Sequence, residues 1–306
     1  MSYFSPPMDH VWERGYLKIP HAYLVQMIVP HPSWDALLPL LSGTVYLIGA
    51  GNCGKSTVAR WLADCGGDDT VLLDGDAGQP TLGPPGTLGL ALPGGQRRLR
   101  FTGALTPSMA PLATLSGLRL LLDAAYAAGA ATVIVDPCGY IRGEGGREFQ
   151  RRSIEVLSPD HIVAVGRDAE IDLVLSLFSC RTGLLIHRLP VSPHARRRSQ
   201  AARRRYREER FADWMADARP LTLSGVLRAG VFPNRSEGYF AGLCDGDGWL
   251  LTAGVILGEE GGEICLLAPP SLPGRAAYIE VGRFRPGFSP LPPAFRSAGQ
   301  EEELFP

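Results

Sequence analysis

The sequence predicts an α/β protein: a parallel β-sheet with flanking helices, followed by a small C-terminal β domain. Three observations predict this fold class. From about residue 44 to residue 167, apolar runs with little polar alternation are separated by helical stretches, which is typical of parallel strands buried on both faces. An arginine-dense helical segment follows. From residue 221 onward, short alternating runs are separated by glycine turns, which indicates a β domain.

The predicted elements follow one another in chain order. "HPSWDALLPLL" is predicted to form a short helix before the first core strand. The predicted strands are "TVYLIG", "TVLLD", "ATVIVD" and "HIVAVGR", and "GLLIHRLP" adds a further one. Helices are predicted from Lys55 to Asp64, within "ATLSGLRLLLDAAYAAGA", and again before "HIVAVGR". A long loop rich in glycine and proline is predicted between "TVLLD" and the second of these helices.

Composition limits the class of protein. Of the 306 residues, 45% are hydrophobic and 20% are charged, and the formal net charge is −1. No apolar span approaches the roughly 18 residues of a membrane helix, and the N-terminus lacks the basic and apolar regions of a secretion signal. The six cysteines are scattered singly without a CxxC pair, which favours reduced thiols over a disulfide framework or a zinc site. We therefore expect a cytoplasmic protein with no membrane contact.

The stretch "VYLIGAGNCGKSTVARWLA" fits two nucleotide-binding patterns. Gly49 to Gly54 matches the GxGxxG turn of dinucleotide-binding proteins, and Gly49 to Ser56 matches GxxxxGKS, the phosphate-binding P-loop. Asp74 supports the dinucleotide interpretation, because it lies about 20 residues further on, where a ribose-binding acid would be expected. The two patterns imply hydride transfer in one case and phosphoryl transfer in the other.

Three features favour phosphoryl transfer. Lys55, Ser56 and Thr57 supply the ammonium and hydroxyl groups that a P-loop needs, and Lys55 is one of only two lysines among 30 basic residues. The run "TVLLDGDAGQP" offers two acids and an amide, and "ATVIVDPCGY" ends a further strand in an acid. Carboxylates that end strands near a P-loop are typical magnesium-side ligands and nucleophile-activating groups. Because no Asn-Lys-x-Asp guanine motif is present, we expect ATP rather than GTP.

The arginine segment "HARRRSQAARRRYREERFADWM" has two interpretations. As a solvated basic helix it would bind nucleic acid non-specifically or face water. As a lid it would bring Arg203 and Arg207, which are i,i+4 neighbours, toward a phosphate. Like charges at that spacing repel by a few tenths of a kcal/mol, a cost that an anion between them offsets. Phe211, Trp214 and Met215 are predicted to form the packing stripe that anchors the helix, which favours the lid.

In order, the P-loop, "DGDAGQPTLGPPGT", "FTGALTPS", "VIVDPCGYIRGEG" and "RSQAARRRYREERFADWM" resemble the polynucleotide 5′-hydroxyl kinases of the RNA-processing type. The resemblance covers roughly residues 30–260. It implies a P-loop NTPase sheet with an arginine-rich lid, and transfer of the γ-phosphate of ATP to the 5′-OH of RNA or DNA. It also implies Mg²⁺ as a cofactor.

The resemblance implies roles for individual residues by motif position. Lys55 would hold the β- and γ-phosphates, and Ser56 and Asp74 would lie on the magnesium side. Asp76 would be the general base, although the reverse assignment of the two acids stays open. Gln79 would orient a metal-bound water or the substrate, and Arg203 and Arg207 would brace the transferring phosphoryl group. The residues implied to hold the nucleotide are Gly49, Ala50, Gly51, Asn52, Cys53, Gly54, Lys55, Ser56 and Thr57.

On the acceptor side, the resemblance implies contacts from the loop Thr102–Ser108, including Thr102 and Thr106. Tyr140 would stack on the terminal base, or else pack against its own loop. Arg142 and the arginines that follow it would track the nucleic-acid backbone, or else form an ordinary helix surface. Because the net charge is near zero, we expect single-stranded or short-ended RNA or DNA rather than long duplexes.

The expected organisation is a leader over residues 1–40, a P-loop kinase domain over 41–219 with its lid at about 193–218, a C-terminal β domain over 220–290 and a loose tail over 291–306. The sequence departs from the family pattern in three ways. "DPCGY" replaces the usual Asn-Thr before the Gly-aromatic pair, and the C-terminal β domain resembles the family more loosely. The long N-terminal domain of eukaryotic members is not expected, so their protein partners are not carried over. Three alternatives stay open: a catalytically silent ATP-binding adaptor of RNA processing, a small-molecule P-loop kinase or nucleotide switch, and a dinucleotide-dependent dehydrogenase.

Overall fold

The structure is a computed structural model that describes residues 30–92, 95–192, 195, 198–230, 236–270 and 276–287. The predicted tail and most of the predicted leader lie outside these ranges, as do four residues at the start of the predicted lid. Among the described helices, none is long and apolar enough to cross a membrane.

The first sheet is mostly parallel, as predicted. In spatial order its described strands run β4-β3-β2-β5-β1-β6-β7, and β2, β5, β1, β6 and β7 are parallel to one another. The strand bounds are β1 (Gly43–Ile48), β2 (Thr70–Gly75), β3 (Thr87–Ala91), β4 (Arg97–Phe101), β5 (Thr132–Pro137), β6 (His161–Val165) and β7 (Leu185–Leu189).

Helices cover both faces of this sheet. Strand β1 explains the uninterrupted apolar pattern, because Val45 and Leu47 face one hydrophobic core while Tyr46 and Ile48 face another. The first core is shared with α1 and α2, and the second with α3, α4 and α5. The helix bounds are α1 (Pro32–Leu37, continued by a 3₁₀ turn at Leu38–Leu40), α2 (Lys55–Cys65), α3 (Pro111–Ala127), α4 (Gly143–Leu157), α5 (Ala169–Ser176) and α6 (Gln200–Met215).

The prediction of a long loop after β2 is wrong over its middle part, residues 87–101. Strands β3 and β4 form an antiparallel hairpin on the edge of the sheet, and β3 pairs with β2. Glycine and proline interrupt the sequence pattern here, but Leu88 and Leu90 are fully buried in the core below α3. Burial of these alternating leucines outweighs the weak strand propensity of their neighbours.

The second sheet contains the strands after α6, as predicted. In spatial order it runs β8-β12-β11-β10-β13-β9. The bounds are β8 (Arg219–Leu223), β9 (Leu227–Ala229), β10 (Phe240–Cys244), β11 (Leu250–Glu260), β12 (Glu263–Ala268) and β13 (Tyr278–Val281). The predicted boundary at residues 219 and 220 falls at the start of β8, and the division into domains stays a prediction.

This second sheet curls on itself. Its two edge strands, β8 and β9, are joined through residues 224–226 alone. In a flat sheet, five spacings of about 4.8 Å would separate the edge strands by about 24 Å. A three-residue connection spans at most about 14 Å. The sheet therefore curls around an inner core, whose members are Leu223, Ala241, Leu243, Ile256, Ile264, Leu266, Ala268, Ile279 and Val281.

The outer face of the curled sheet holds the second half of α6. Phe211 contacts Phe240 with ring centroids 5.1 Å apart, and Met215 lies in the same cluster. The indole nitrogen of Trp214 donates a hydrogen bond of 2.8 Å to the carbonyl of Ala253. The predicted packing stripe of the arginine-rich helix is confirmed.

Candidate active site

The P-loop connects β1 to the N-terminus of α2. Gly54 has φ +92° and Asn52 has φ +68°, both in the left-handed region that glycine, and less often asparagine, adopts. Helix α2 then begins at Lys55, whose side chain is buried. A tight turn of this kind before a helix exposes backbone N–H groups and the positive end of the helix dipole, which suits phosphate.

The P-loop is packed closely on two sides. A Cβ on Gly139, in the loop after β5, would lie 2.7 Å from the backbone nitrogen of Gly51. A Cβ on Gly51 would lie 3.1 Å from a guanidinium nitrogen of Arg203, so this arginine lies over the loop. Among the described residues, none accepts a hydrogen bond from the buried Nε of Arg203. Arg203 is therefore available to an anion at the P-loop.

Two acids lie side by side at the carboxyl ends of β2 and β5. The register of these parallel strands pairs Asp74 with Asp136, and both side chains are buried. Asp74 accepts hydrogen bonds from the amide (2.6 Å) and the hydroxyl (2.7 Å) of Thr81 and from the amide of Asp76 (3.2 Å). Burial raises the pKa of Asp74, and these hydrogen bonds act against the rise.

Asp136 faces the P-loop. Burial raises its pKa to about 7, although the Lys55 ammonium and a hydrogen bond with Ser56 act in the opposite direction. Its Oδ1 atom is buried, and no described residue donates a hydrogen bond to it. A buried carboxylate oxygen without a donor, next to a hydroxyl and at the end of a phosphate loop, is a suitable ligand for a divalent cation.

Asp76 is more accessible than the other two acids. Its Oδ1 atom accepts hydrogen bonds from the amides of Gly78 (3.0 Å) and Gln79 (3.1 Å). No donor among the described residues reaches its Oδ2 atom. Gly78 also packs against the loop Thr102–Ser108, because a Cβ there would lie 2.5 Å from the carbonyl oxygen of Leu105. The second acid of the DxD motif thus lies between the P-loop side and the predicted acceptor side.

The arginines of α6 reach this edge of the sheet. Burial and the neighbouring Arg203 charge lower the pKa of Arg207, whereas Asp76 acts in the opposite direction. Arg198, just before the helix, donates from its backbone to Asn52 Oδ1 (3.2 Å) and from its guanidinium to Gln79 Oε1 (3.3 Å). The segment before α6 is therefore bonded to both the P-loop and the acid loop.

The four predicted acceptor-side residues are placed differently from one another. Thr102 is buried, and its hydroxyl donates to the carbonyl of Gly86 at 2.9 Å. Thr106 shares a hydrogen bond of 3.0 Å with the hydroxyl of Ser108. Tyr140 is half-buried and packs on Phe149 of α4, with ring centroids 6.1 Å apart. Arg142 is exposed and lies 3.6 Å from Asp168. Their roles toward a substrate stay predictions.

A family comparison identifies the chain. The model of the family described as "mRNA cleavage and polyadenylation factor CLP1 P-loop" matches residues 49–216, more than half of the chain. The chain belongs to this family. The predicted resemblance and the predicted P-loop fold class are confirmed.

Two curated relatives of this chain share the printed name polyribonucleotide 5′-hydroxyl-kinase. The polyribonucleotide 5′-hydroxyl-kinase of Methanocaldococcus jannaschii is 28% identical over 188 residues, covering 57% of this chain and 51% of the relative. That of Pyrococcus furiosus is 30% identical over 192 residues, covering 59% and 52%. The chain thus spans about half the length of the curated relatives it matches. A solved wild-type Clp1p–Pcf11p complex has the same fold, with a TM-score of 0.61 at 12% identity over 83% of this chain and 77% of that chain.

Three further residues belong to the site or connect its loops: Asp136, which the sequence indicated only as the acid that ends "ATVIVDPCGY", and Arg198 and Gln150, to which it assigned no role. Asp136 had a sequence signal, because it ends an apolar strand. Arg198 had a weaker one, because it is the first residue of the run "RSQAARRRYREERFADWM". In the structure it lies just before α6, whose N-cap Ser199 accepts a hydrogen bond from the amide of Ala202 (3.1 Å). Gln150 had none: it is buried in α4, accepts from the Tyr46 hydroxyl (2.8 Å) and donates to the carbonyl of Tyr140 (2.9 Å).

The other arginines after the Tyr140 loop are neutralised locally. Arg147 pairs with Glu170 at 2.6 Å. Arg151 and Arg152 each pair with Glu148 and Glu155 on the same helix. This arrangement favours the ordinary helix surface over the backbone-tracking alternative for these three side chains.

Proposed function

We propose that this chain is an ATP-dependent polynucleotide 5′-hydroxyl kinase, which transfers the γ-phosphate of ATP to the 5′-OH end of RNA or DNA. The observation that carries the proposal is the convergence at one edge of the sheet of a P-loop, the arginines of α6 and Asp76, whose Oδ2 accepts no hydrogen bond from the described residues. The printed names of the archaeal relatives support the same activity. A cytoplasmic location is supported by the six free cysteines.

ATP and Mg²⁺ are the proposed cofactors. The loop residues 49–57 would hold the β- and γ-phosphates, with the Lys55 ammonium as their counter-charge. Ser56 and the uncommitted Oδ1 of Asp136 fit a magnesium ion, with Asp74 behind them as a contributor through the hydration shell. The described residues contain no self-sufficient group of three metal-binding side chains, which fits an ion that takes further ligands from phosphate. Bound Mg²⁺ neutralises charge on the transferring phosphate.

Asp76 is the proposed general base. Two backbone amides hold its Oδ1, which leaves Oδ2 to accept the proton of the 5′-OH. The acceptor oxygen then bonds to the γ-phosphorus while the bond from that phosphorus to the bridging oxygen breaks, and ADP leaves with that oxygen. Asp74 is the weaker candidate, because both of its oxygens already accept hydrogen bonds.

Arg203 and Arg207 are the proposed lid arginines. Arg203 lies over Gly51, and Arg207 is electrostatically coupled to both Arg203 and Asp76. A phosphoryl group held between the P-loop and Asp76 would relieve the repulsion between the two guanidinium groups. Arginines in this role contribute about 10³-fold or more to the rate of phosphoryl transfer.

The proposed acceptor is a single-stranded or short 5′-OH end of RNA or DNA. Gln79 adjoins Asp76 and would orient the terminal ribose or a bound water. Thr106 and the exposed Arg142 would contact the acceptor backbone, while Thr102, whose hydroxyl is bonded to Gly86, would shape the loop. Tyr140 would bind the terminal base only by leaving or extending its contact with Phe149.

Phosphate transfer from γ-labelled ATP with magnesium tests the proposal. The acceptors are 5′-OH RNA and DNA oligonucleotides, with a 5′-phosphorylated oligonucleotide and a free nucleoside as controls and Lys55→Ala as the inactive variant. Label on the 5′-OH oligonucleotides alone is the expected result. ATP binding without label on any acceptor would favour the silent adaptor, and label on the nucleoside alone would favour a small-molecule kinase.

A further inference from the structure

Four consecutive backbone carbonyl groups follow the DxDxGQ motif, and each accepts a hydrogen bond from a side chain of another element. We refer to residues 80–83 as the strap. The donors belong to α6 and β4. The bonds run from Tyr206 to Pro80 (2.9 Å), from Arg210 to Thr81 (3.0 Å) and to Gly83 (2.9 Å), and from Arg97 to Leu82 (2.7 Å).

Two of these donors are cations that are at least partly shielded from water. Arg210 is only 8% exposed, and Arg97 is half-buried. Burial lowers the pKa of Arg97, and the charge of Arg210 lowers it further. Bringing two like charges together out of water is costly. The hydrogen bonds of these arginines satisfy the carbonyl groups of Thr81, Leu82 and Gly83 and so hold the strap in place.

The strap is bonded directly to the acids of the site. Thr81, which offers its carbonyl to Arg210, donates its amide and hydroxyl to Oδ2 of Asp74. Asp74 Oδ1 in turn accepts from the amide of Asp76. A short series of hydrogen bonds thus leads from a side chain of α6 to the backbone of the proposed base.

The same helix carries the proposed lid arginines. Arg210 lies one turn after Arg207, and its neighbour Phe211 fixes that turn against the curled sheet. The hydrogen bonds of Arg210 therefore join the element that braces the phosphate to the element that takes the proton. An error of about 1 Å between such groups is enough to lower a rate about 10²-fold.

We infer that Arg210 is a positioning residue, which binds the strap and thereby fixes the distance between the DxD acids and the lid arginines. Arg97 holds the strap from the side of β4. The inference rests on the proposed kinase function. In this role Arg210 acts through Thr81 and Asp74 rather than on the nucleotide or the acceptor.

Amide hydrogen exchange and steady-state kinetics on the full chain test this inference. The variants are Arg210→Met, which keeps the length of the side chain without its donors, Arg210→Lys as the conservative change, and Arg205→Met as an exposed control on the same helix.

In Arg210→Met, exchange in the segment 76–83 rises by about tenfold or more, while exchange in β5 is unchanged. The value of kcat falls by about tenfold to 100-fold, and the KM for ATP changes by less than about threefold. Arg210→Lys recovers part of both losses, and Arg205→Met matches the wild type.

A double-mutant cycle with Thr81→Val separates positioning from general destabilisation. Thr81→Val removes the hydroxyl bond to Asp74 but keeps the backbone carbonyl that accepts from Arg210. If both residues act by holding Asp74 in place through the strap, the double variant loses little more kcat than the worse single variant, whereas independent effects would multiply. Unchanged exchange in the segment 76–83, faster exchange throughout the sheet, or multiplicative losses would each overturn the inference. Because exchange is measured without substrate, it decides the role of Arg210 at the strap even if the wild-type chain transfers no phosphate.

Discussion

At the scale of single residues, the two acids of the DxD motif differ in how their oxygens are used. Within the part of the chain that the structure describes, the enclosed Asp74 accepts three hydrogen bonds on its two oxygens, while Asp76 accepts two on one oxygen. A carboxylate whose two oxygens both accept hydrogen bonds has a structural role, whereas one with an oxygen that accepts none can take a proton. The geometry therefore favours the assignment of Asp76 as the base over the reverse assignment.

Replacing the base is the sharpest test at this scale. Asp76→Asn keeps the hydrogen bonds to the amides of Gly78 and Gln79 but cannot accept the proton, so kcat should fall by at least about 10²-fold. ATP affinity, measured by titration calorimetry, should stay near that of the wild type. Asp68→Asn, an exposed change in the loop before β2, is the matched control. Near-full activity of Asp76→Asn would show that another group takes the proton.

The sequence predicted the P-loop, the two acids and the lid arginines because each belongs to a compact motif with a fixed spacing. Arg198 and Gln150 escaped for a physical reason. Their partners, Asn52 and Gln79 in one case and Tyr46 and Tyr140 in the other, are far away in the chain. Only the folded arrangement of the loops brings such groups into hydrogen-bonding distance.

At the scale of elements, β6 and β7 are joined by a histidine pair as well as by their backbones. The rings of His161 and His187 stack with centroids 5.3 Å apart, and Nδ1 of His161 lies 3.0 Å from Nε2 of His187. The amide of Ser42 donates to Nε2 of His161 (3.4 Å), so the proton of His161 is on Nδ1, which donates to His187. Protonating His161 at Nε2 removes the acceptor of the Ser42 amide, and protonating His187 at Nε2 removes the acceptor of the bond between the rings.

This pair predicts a loss of stability in mild acid. Burial lowers the pKa of both histidines, with Asp160 acting against the shift at His161 and the His161 charge adding to it at His187. Their folded pKa values are below the unfolded value of about 6.5, so their stabilising effect is complete above that pH and declines as the pH falls through it. In urea unfolding, the wild-type midpoint should fall between pH 7.5 and 5.5 more steeply than that of His187→Phe.

The comparison with His187→Phe isolates the histidine contribution. The buried Asp136, whose pKa is raised to about 7, titrates in the same interval with the opposite sign, and it does so in both proteins. Equal pH slopes for the two proteins would contradict the prediction.

The elements themselves were predictable where the apolar pattern was continuous. Strands β1, β2, β5 and β6 carry nearly continuous apolar runs, and helical stretches separate them, so their order indicates a parallel sheet. The β3–β4 hairpin was not predictable, because its leucines alternate with glycine, alanine and arginine. Its strand character comes from pairing with β2 and from the core under α3, which no local pattern contains.

At the scale of the whole molecule, the curled sheet supports the predicted acceptor loop. Gly103 has φ +61°, and its carbonyl accepts a hydrogen bond of 2.6 Å from the amide of Arg283. A Cβ on Gly282 would lie 2.7 Å from the carbonyl oxygen of Phe240 and 3.1 Å from that of Gly103. The sequence could not predict this contact. Gly103 follows β4 of the first sheet and Gly282 follows β13 of the second, and the local sequence does not distinguish either from other glycines.

Adding one methyl group at this contact should therefore affect the acceptor. Gly282→Ala is expected to cost about 1–3 kcal/mol of stability and to displace the loop Thr102–Ser108. The KM for a 5′-OH oligonucleotide should rise several-fold, whereas the KM for ATP should not change. Gly246→Ala is the control, since a Cβ there meets nothing within 4 Å. Lower thermal stability with an unchanged oligonucleotide KM would limit the contact to a structural role.

The aromatic cluster between the sheets combines Phe101 of β4, Phe211 of α6, Phe240 of β10 and Phe284 after β13. A chain cut at the predicted boundary of residues 219 and 220 would keep the first two rings and lose the others. The exposed apolar surface would promote self-association. We therefore expect that the P-loop half is not a portable module: it can be fused, truncated or exchanged between relatives only together with the curled sheet.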